Sequence, residues 1–512
     1  MRRDQRIRAS LALSGLTLML ALAGCGVTPT PSAAATPSND NPRLSEQARR
    51  YLPAGRAELA AIVRLKAGES VTALEQRLGG SVEDLESEAG FAVMGFSRAA
   101  YLALQDRRAD GEIDAINSNQ GSVSLPELIA DSGGPHAWLM GKGLVAWSGG
   151  KGGLPAWSGG KGGLPAWSGG VGEWSGGSVA WTSGKGGLPA WSGGKGGLPA
   201  WSGGDATVEG NTHTWEQVKL AGGWANAPKL GNGVTVAVID TGVDLSHPAF
   251  GDPRLTFTPP NTWRDYVDHD NVPQDIAWPD GTRGPGFGHG TGVAGTLLQV
   301  APRVKLLPLR VLNPDGSGDV TDVAAAIGYA VRQGVQIINL SLGAAESSVL
   351  DRMVKYAASR GVYVVTSAGN SGDQNVTYPA RDANLPGATG ALTLAVGSVD
   401  RDDVLSVFSS FGPSLDLVAP GEFVWTPAPG SLQAYWSGTS FSAPMSAGAL
   451  ALGIAQNPWL ARFGQDAKLL AGTTDNVDGL NAAKAGQFGR GRLNIEKFVK
   501  AVNNFDLSSI WN

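Results

Sequence analysis

Apolar and polar positions after residue 215 follow two alternating periods. Short apolar runs of strand length are separated by segments whose apolar residues recur at helical spacing. The runs predict strands at 233–239, 304–309, 335–340, 362–366 and 392–396, and the helical segments lie at 320–332, 350–359 and 440–452. This order predicts an α/β domain over 215–512, with a parallel sheet and helices on both faces. Ligand chemistry is then expected at the carboxyl ends of the strands.

A second, smaller unit at 57–118 mixes the same two patterns. Strand-like alternation occurs at 60–66, 91–96 and 112–117, and helical spacing occurs at 71–78 and 98–107. We therefore predict a small α+β domain. A unit of this size buries little core of its own, so we expect it to pack on a partner.

The first 25 residues have the pattern of an export signal. The segment begins with a basic stretch, which contains Arg2, Arg3, Arg6 and Arg8. An apolar run from Leu11 to Ala23 follows, and it is too short to cross a bilayer core of about 30 Å as a helix. These features are typical of a secretory signal peptide.

The apolar run ends in Leu-Ala-Gly-Cys, which resembles the lipobox of bacterial lipoproteins. The cysteine of that motif is acylated, and Cys25 is the only cysteine of the chain. We therefore expect residues 1–25 to be a lipoprotein signal peptide and Cys25 to carry the lipid. A plain signal peptide with an incidental cysteine is the alternative. Residues 26–45 are rich in Pro, Ser, Thr, Ala and Asn, and we expect residues 26–56 to be a flexible tether, so membrane contact would come through the lipid alone.

Residues 119–214 are predicted to be a linker that contains a low-complexity repeat at 141–204. The decapeptide Lys-Gly-Gly-Leu-Pro-Ala-Trp-Ser-Gly-Gly occurs at 151–160, 161–170, 185–194 and 195–204. A backbone so rich in glycine is costly to order, and a packed core is not expected. The tryptophans could stack on sugar rings, form a ladder of rings on the surface, or dock on the neighbouring domain. A flexible spacer expanded by tandem duplication is the alternative.

Charge and cysteine content exclude several classes of function. The chain has 40 Lys and Arg against 45 Asp and Glu, and its net charge of -5 argues against nucleic acid as a partner. One cysteine excludes an intramolecular disulfide and a zinc site built from cysteines. The 5 histidines leave few candidates for catalysis.

Four polar residues stand where an α/β sheet places its chemistry. Asp240 ends the first predicted strand in Val-Ile-Asp-Thr-Gly, and His289 opens an apolar helical segment in Gly-His-Gly-Thr-Gly. Ser440 opens the last predicted helix in Gly-Thr-Ser-Phe-Ser-Ala-Pro, and Asn370 ends Ser-Ala-Gly-Asn beyond a strand. Each residue alone has a structural explanation as a cap, a turn or a core residue.

Together these residue types supply the parts of an acyl-transfer site. A serine hydroxyl becomes a nucleophile when a base takes its proton, and His289 can be that base while Asp240 holds its imidazole. The Asn370 side chain and the backbone N–H of Ser440 can stabilise an oxyanion. A dinucleotide-binding oxidoreductase is set aside because no Gly-x-Gly-x-x-Gly follows the first strand.

The four neighbourhoods, in the order Asp, His, Asn, Ser, resemble those of the subtilisin-like serine peptidases, the subtilases. The resemblance covers about residues 232–500. It implies a subtilisin-like fold and a secreted serine endopeptidase that acts on polypeptides and needs no cofactor for its chemistry.

The resemblance also implies where a substrate binds. An extended peptide would pair as a strand with two segments, one formed by Ser341, Leu342 and Gly343 and the other by Gly316, Ser317 and Gly318. The pocket for the side chain next to the cut is expected between residues 341–343, 368–369 and 377–379. We expect that pocket to have an uncharged, mostly apolar preference.

The loop before His289 resembles a calcium loop of thermitase-like subtilases. The resemblance implies a structural calcium ion held by Asp265, Asp270, the carbonyl oxygen of Val272 and Gln274. Oxygen ligands of this kind suit Ca²⁺. A solvated acidic turn is the alternative.

The domain at 57–118 resembles a subtilase propeptide, which implies that the chain is an inactive zymogen whose own propeptide is a partner. Self-processing near 118–135 would leave the tryptophan repeat on the mature enzyme. Processing near 205–215 would remove the repeat with the propeptide. A competing hypothesis is a cell-surface protein that binds through its tryptophan repeats on an inactive peptidase scaffold. The intact set of Asp240, His289, Asn370 and Ser440 argues against it.

Overall fold

The computed structural model describes residues 59–66, 68–86, 91–97, 100, 104, 122–124, 211–251, 256–284, 286–344, 347–462 and 464–505. All of them belong to the compact unit Asn41–Asn512. The predicted signal peptide, the tether and the tryptophan repeat lie outside the described residues. So do the predicted strand at 112–117 and most of the predicted helix at 98–107.

Strands and helices of the described residues are numbered in chain order. The strands are β1 (Leu59–Arg64), β2 (Ser81–Glu86), β3 (Phe91–Phe96), β4 (Ser122–Ser124), β5 (Thr235–Asp240), β6 (Arg264–Asp265), β7 (Lys305–Arg310), β8 (Ser317–Asp319), β9 (Ile337–Leu340), β10 (Tyr363–Ser367), β11 (Thr393–Val399), β12 (Leu417–Pro420), β13 (Val424–Ala428) and β14 (Leu432–Trp436). The helices are α1 (Val71–Leu78), α2 (Thr212–Gln217), α3 (Leu220–Asn226), α4 (His289–Val300), α5 (Val320–Arg332), α6 (Ser348–Ser359), α7 (Ala388–Leu392), α8 (Thr439–Gln456), α9 (Pro458–Arg462), α10 (Asp466–Gly472) and α11 (Ile495–Asn503).

The large domain is built on a parallel sheet of seven strands in the order β12-β11-β10-β9-β5-β7-β6. The predicted parallel α/β sheet is therefore confirmed, and each of the five predicted strands begins within two residues of its expected start. After β5 the chain forms β6 and β7 on one side of that strand, and it then crosses to form β9 on the other side. This change of direction opens a crevice at the carboxyl ends of β5 and β9.

Side chains of the central strands are buried on both faces of the sheet, which explains their continuous apolar runs. Val236 and Val238 of β5 pack in one core with α4, α8 and α11. Ala237 and Ile239 face the other side, where they pack with α5 and α6. The helices on both faces were predicted.

Helix α8 passes through the core and is buried from Thr439 to Ala455. A helix that is apolar on all sides belongs in such a position. It begins one residue before the predicted helix and ends four residues after it. Its early start places Ser440 in the first turn, close to the carboxyl ends of the strands.

The small domain is an antiparallel sheet in the order β1-β3-β2, covered by α1. Helix α1 has its predicted bounds, whereas β2 was not predicted. A register shift between Val82 and Asp84 breaks the regular alternation of β2, so its sequence lacks a clear strand pattern. Ala92 and Met94 pack on α1, while Val93 points the other way into the core of the large domain that contains α5.

Several elements of the large domain were missed in the sequence because they are short or interrupted. Helix α2 has six residues and begins in the last residues of the predicted linker, and Asn211 before it is buried. Its side chain accepts from the backbone N–H of Trp425 (2.7 Å) and donates to the carbonyl oxygen of the same residue (2.6 Å). The β13–β14 hairpin carries Pro427 within a strand, which weakens its strand pattern.

Candidate active site

Asp240 and His289 form a buried pair at the carboxyl end of β5. Strand β5 ends at Asp240 and helix α4 begins at His289, as predicted. The Nδ1 atom of His289 lies 2.8 Å from Oδ1 of Asp240, and both residues are buried. The first turn of α4 lies so close to the loop after β5 that position 290 must be glycine, because a Cβ atom there would overlap with the carbonyl oxygen of Gly242. The contact therefore fixes the orientation of the imidazole ring.

Ser440 is held beside β9 by contacts with Ser341. Pro444 has no N–H, so it cannot bond to the carbonyl oxygen of Ser440 one turn earlier. That oxygen accepts instead from the Ser341 hydroxyl at 2.7 Å. The Ser440 hydroxyl donates to the carbonyl oxygen of Ser341 at 3.3 Å. The next side chain of α8, Phe441, lies edge-on to the His289 ring, with the ring centres 5.5 Å apart.

Asn370 lies beyond β10, next to the residue that precedes Ser440. Its side-chain oxygen accepts from the backbone N–H of Thr439 at 3.0 Å and from the Thr439 hydroxyl at 2.9 Å. The Thr439 hydroxyl in turn accepts from the backbone N–H of Gly369 at 3.3 Å. The Asn370 carboxamide is thus held against the start of α8.

The four predicted residues therefore gather at one end of the sheet. Asp240 and His289 contact each other directly, Ser440 is joined to the end of β9 through Ser341, and Asn370 is joined to α8 through Thr439. A base, a hydroxyl and hydrogen-bond donors in one crevice are the groups that acyl transfer uses.

Asp275 is a buried residue of this site that we did not predict as part of it. Its carboxylate accepts from the backbone N–H of Gly288 at 2.9 Å, and from the hydroxyl of Thr291 at 2.7 Å and its backbone N–H at 3.2 Å. The Thr241 hydroxyl donates to it at 3.3 Å. Burial raises the pKa of Asp275 to about 7, although these hydrogen bonds favour its ionised form. In the sequence it stands in an acidic loop, and nothing there indicates these partners.

The two predicted substrate-binding segments flank the crevice. Ser341, Leu342 and Gly343 follow directly after β9, and Ala344 pairs with Tyr378. The second segment overlaps β8, which contains Ser317 and Gly318. There β4 pairs antiparallel with β8, with Ser122 opposite Asp319, Val123 opposite Gly318 and Ser124 opposite Ser317. A strand of the chain itself therefore lies along one of the predicted substrate segments.

The predicted calcium ligands lie in one loop, and Oδ1 of Asp265 already accepts from the backbone N–H groups of Val267 at 2.8 Å and Asp268 at 3.0 Å. The backbone N–H of Asp265 donates to the carbonyl oxygen of Asp270 at 3.0 Å, which brings these residues together. Oδ2 of Asp265 accepts from Arg310 at 2.8 Å, and Oε1 of Gln274 accepts from the backbone N–H of Leu245 at 3.2 Å. The carbonyl oxygen of Val272 accepts from the N–H of Gln274 at 2.6 Å. These donors fit calcium chemically.

The described residues contain neither a cluster of metal-binding side chains nor a membrane-spanning helix. The ranges given above contain no group of three or more His, Cys, Asp or Glu side chains that could hold a metal ion. The predicted calcium set has only two carboxylates, so it stays a prediction. Within the same ranges, no helix has the length and apolar character needed to cross a membrane.

Comparison with known proteins gives consistent matches over the large domain. A family model described as the subtilase family matches residues 231–489. Thermitase from Thermoactinomyces vulgaris is 35% identical over 281 residues, which cover 53% of this chain and 90% of thermitase. Subtilisin Savinase from Lederbergia lenta is 38% identical over 238 residues, which cover 44% of this chain and 78% of that protein. A solved cold-adapted subtilisin-like serine proteinase shares 31% identity at a TM-score of 0.43, covering 52% of this chain and 89% of that one.

Proposed function

The chain belongs to the subtilase family and is a subtilisin-like serine endopeptidase; from that premise we propose that Asp240, His289 and Ser440 form its catalytic triad and that Asn370 assists its oxyanion hole. The observation that carries the assignment is the buried contact of 2.8 Å between Asp240 and His289 beside the start of α8. Subtilase chemistry needs no cofactor, and the catalytic roles fall to side chains and one backbone N–H of this chain.

The proposed reaction has two steps. The Ser440 hydroxyl turns from Ser341 toward His289, gives its proton to the imidazole and attacks the peptide carbonyl carbon. His289 then passes that proton to the leaving amine as the C–N bond breaks, and Asp240 stabilises the imidazolium meanwhile. Water, activated by His289, hydrolyses the acyl-enzyme and restores Ser440. The side-chain N–H of Asn370 and the backbone N–H of Ser440 stabilise the negative oxygen of both tetrahedral intermediates.

The precursor is inhibited by its own N-terminal part. The domain at 57–118 acts as the propeptide and packs on the enzyme through Val93, which is buried in the core that contains α5. The antiparallel pairing of β4 with β8 supports this proposal, because a peptide on that strand excludes a substrate from it. Self-processing would then occur shortly after Ser124, within the range 118–135. The tryptophan repeat would stay on the mature enzyme.

The precursor is also proposed to be exported and anchored through lipid on Cys25, while the mature peptidase is released by the cut. The pattern of the first 25 residues supports this proposal. Metabolic labelling with a fatty acid should mark the precursor, and Cys25→Ala should remove the label. Structural calcium in the loop that contains Asp265 and Asp270 is part of the same proposal.

Self-processing is tested by measuring intact mass over time on protein that lacks residues 1–25. The matched control is the same protein with Ser440→Ala. We expect only the protein with Ser440 to shorten, at a bond between residues 118 and 135. Shortening of both proteins would point to a contaminating peptidase. If neither shortens and casein also survives, the binding protein with an inactive scaffold becomes the better explanation.

A further inference from the structure

An asparagine in the middle of the large sheet is linked to the proposed nucleophile through one other side chain. We propose that Asn339 is a positioning residue for Ser440: it orients the hydroxyl of Ser341, and that hydroxyl holds the backbone of Ser440 in place during the reaction. This inference rests on the proposed peptidase function. It adds a residue that acts on the catalytic step without touching the substrate.

Asn339 has an unusual position for an amide side chain. It is the third residue of β9 and is fully buried, and its neighbours on the adjacent strands are Val238 of β5 and Val365 of β10. Both valines belong to the apolar core that contains α8. Burying an amide among apolar side chains is costly unless hydrogen bonds replace those to water. The hydrogen bonds of Asn339 therefore indicate what its amide does there.

The hydrogen bonds around Ser341 can run in only one direction. Nδ2 of Asn339 lies 3.0 Å from the hydroxyl oxygen of Ser341, which lies 2.7 Å from the carbonyl oxygen of Ser440. A hydroxyl group has a single hydrogen, and a carbonyl oxygen can only accept. The hydrogen of Ser341 therefore points to Ser440, and Asn339 must donate through its NH₂ group. Two successive hydrogen bonds thus lead from the sheet to the nucleophile.

The other polar atom of the amide argues against a purely structural role. In the part of the chain that the structure describes, Oδ1 of Asn339 has no hydrogen-bond partner, although it is buried. A buried acceptor without a partner lowers the stability of the fold. The NH₂ group is therefore present at this position in spite of the cost of the oxygen beside it, which is typical of functional sites.

The hydrogen bond from Asn339 matters most during the reaction. In the structure Ser341 and Ser440 are joined twice, because the Ser440 hydroxyl also donates to the carbonyl oxygen of Ser341 at 3.3 Å. That second bond is lost when the Ser440 hydroxyl turns toward His289. The bond from the Ser341 hydroxyl remains, and the hydrogen bond that this hydroxyl accepts from Asn339 strengthens it. Loss of Asn339 should therefore lower kcat and leave KM nearly unchanged.

The test measures kcat and KM on a chromogenic peptide for four proteins that lack residues 1–25. They are the unmodified enzyme, Asn339→Leu, Ser341→Ala and the double variant, and a fluorophosphonate titration counts the active sites. Leucine has about the size of asparagine but cannot donate. We expect each single variant to lower kcat by at least about tenfold, and Asn339→Leu to change KM by less than about twofold. The double variant should be no slower than Ser341→Ala, because the hydroxyl that Asn339 orients is then absent.

A merely structural role of Asn339 predicts a different pattern. Asn339→Leu would then change the melting temperature but not kcat, or the losses of kcat in the two single variants would multiply in the double variant. Either result overturns the inference. Thr366→Val is the matched control, because it removes from β10 a buried hydroxyl that has no hydrogen-bond partner among the described residues. This variant should keep the kcat of the unmodified enzyme.

The outcomes also separate this inference from the function on which it rests. If the unmodified enzyme cleaves the peptide and Asn339→Leu keeps its full kcat, the role of Asn339 is overturned and the peptidase assignment stands. Failure of the unmodified enzyme to cleave the peptide, together with no labelling of Ser440 by the fluorophosphonate, overturns both. If Asn339→Leu does not fold, Asn339→Ala removes the same donor, and an unchanged kcat in that variant overturns the inference.

Discussion

The carboxylate of Asp275 connects the loops on either side of the Asp240–His289 pair. It accepts from Gly288 and Thr291, which flank His289, and from Thr241, which follows Asp240. No Lys or Arg side chain among the described residues is bonded to it. The carboxylate of Asp275 is stabilised by several neutral hydrogen-bond donors on both loops. Weakening these hydrogen bonds should therefore shift His289 relative to Asp240.

We therefore predict that Asp275→Asn lowers kcat by roughly 10- to 100-fold with little change in KM, because a small displacement of catalytic groups is costly. The amide group cannot accept from every N–H that faces the carboxylate. The measurement is kcat per active site, counted by titration with a fluorophosphonate. Asp416→Asn is the control, since its carboxylate accepts from Ala395 at 2.9 Å far from the site and its pKa is also raised by burial to about 7. An unchanged kcat would show that Asp275 supports only the fold.

At this scale the sequence predicted residues that stand at the ends of strands and helices. Asp240 and His289 have distinctive neighbours, and both occupy the predicted ends of their elements. Asp275 was missed because its donors come from separate segments that only the folded chain brings together. The bond between Ser341 and the carbonyl oxygen of Ser440 was missed for the same reason.

The loop from Arg264 to Asp275 is a small element whose stability depends on its charges. Arg310 from β7 bonds to the carboxylates of Asp265 and Asp268. Burial raises the pKa of Asp265 to about 6, while Arg310 acts in the opposite direction. One arginine offsets part of the acidic charge, and a calcium ion would offset more of it.

For this loop we predict that calcium raises the melting temperature and that Asp270→Asn removes the effect. Calcium at about 100 times its dissociation constant would add about 2.7 kcal/mol. Differential scanning calorimetry with calcium or with a chelator measures the difference, in a Ser440→Ala background to prevent self-digestion. Asp280→Asn, in the following loop, should keep the calcium response. Equal melting temperatures with and without calcium would favour the solvated acidic turn.

At the scale of elements, prediction succeeded where one period persists over a whole segment. Helix α5 has its predicted bounds because its apolar residues recur regularly and Asp319 caps it through the N–H of Thr321 at 2.7 Å. The β13–β14 hairpin was missed because Pro427 interrupts its pattern and because its residues contact distant segments, α4 and the loop around His247. The ring of His247 lies 2.7 Å from the carbonyl oxygen of Leu432 in that hairpin. Such long-range contacts leave no local period.

The molecule as a whole buries several carboxyl groups away from the candidate site. Burial raises the pKa of Asp416, Glu422 and Asp466 to about 7 in each case. Asp466 is fully buried at the start of α10, and its Oδ2 accepts from the hydroxyl of Tyr363 at 3.3 Å. The parallel sheet with helices on both faces was predictable from the sequence. The burial of these acids was not, because it depends on how the last helices pack on α8.

The pH dependence of stability follows from the buried acid Asp466. Its pKa in the folded state, about 7, exceeds the ordinary value of 3.8. Between these pH values the folded chain keeps a proton on Asp466 that the unfolded chain has lost. The free energy of unfolding therefore falls as pH rises through this window, and it stops falling above pH about 7. We predict that Asp466→Asn, which cannot ionise, stabilises the protein at pH 8 by roughly 2 kcal/mol more than at pH 5, or about 4 °C in Tm. Calorimetry in a Ser440→Ala background measures the difference, with the exposed Asp402→Asn as control. A gain that is equal at both pH values would show that the folded chain holds no extra proton on Asp466 and that its pKa is not raised.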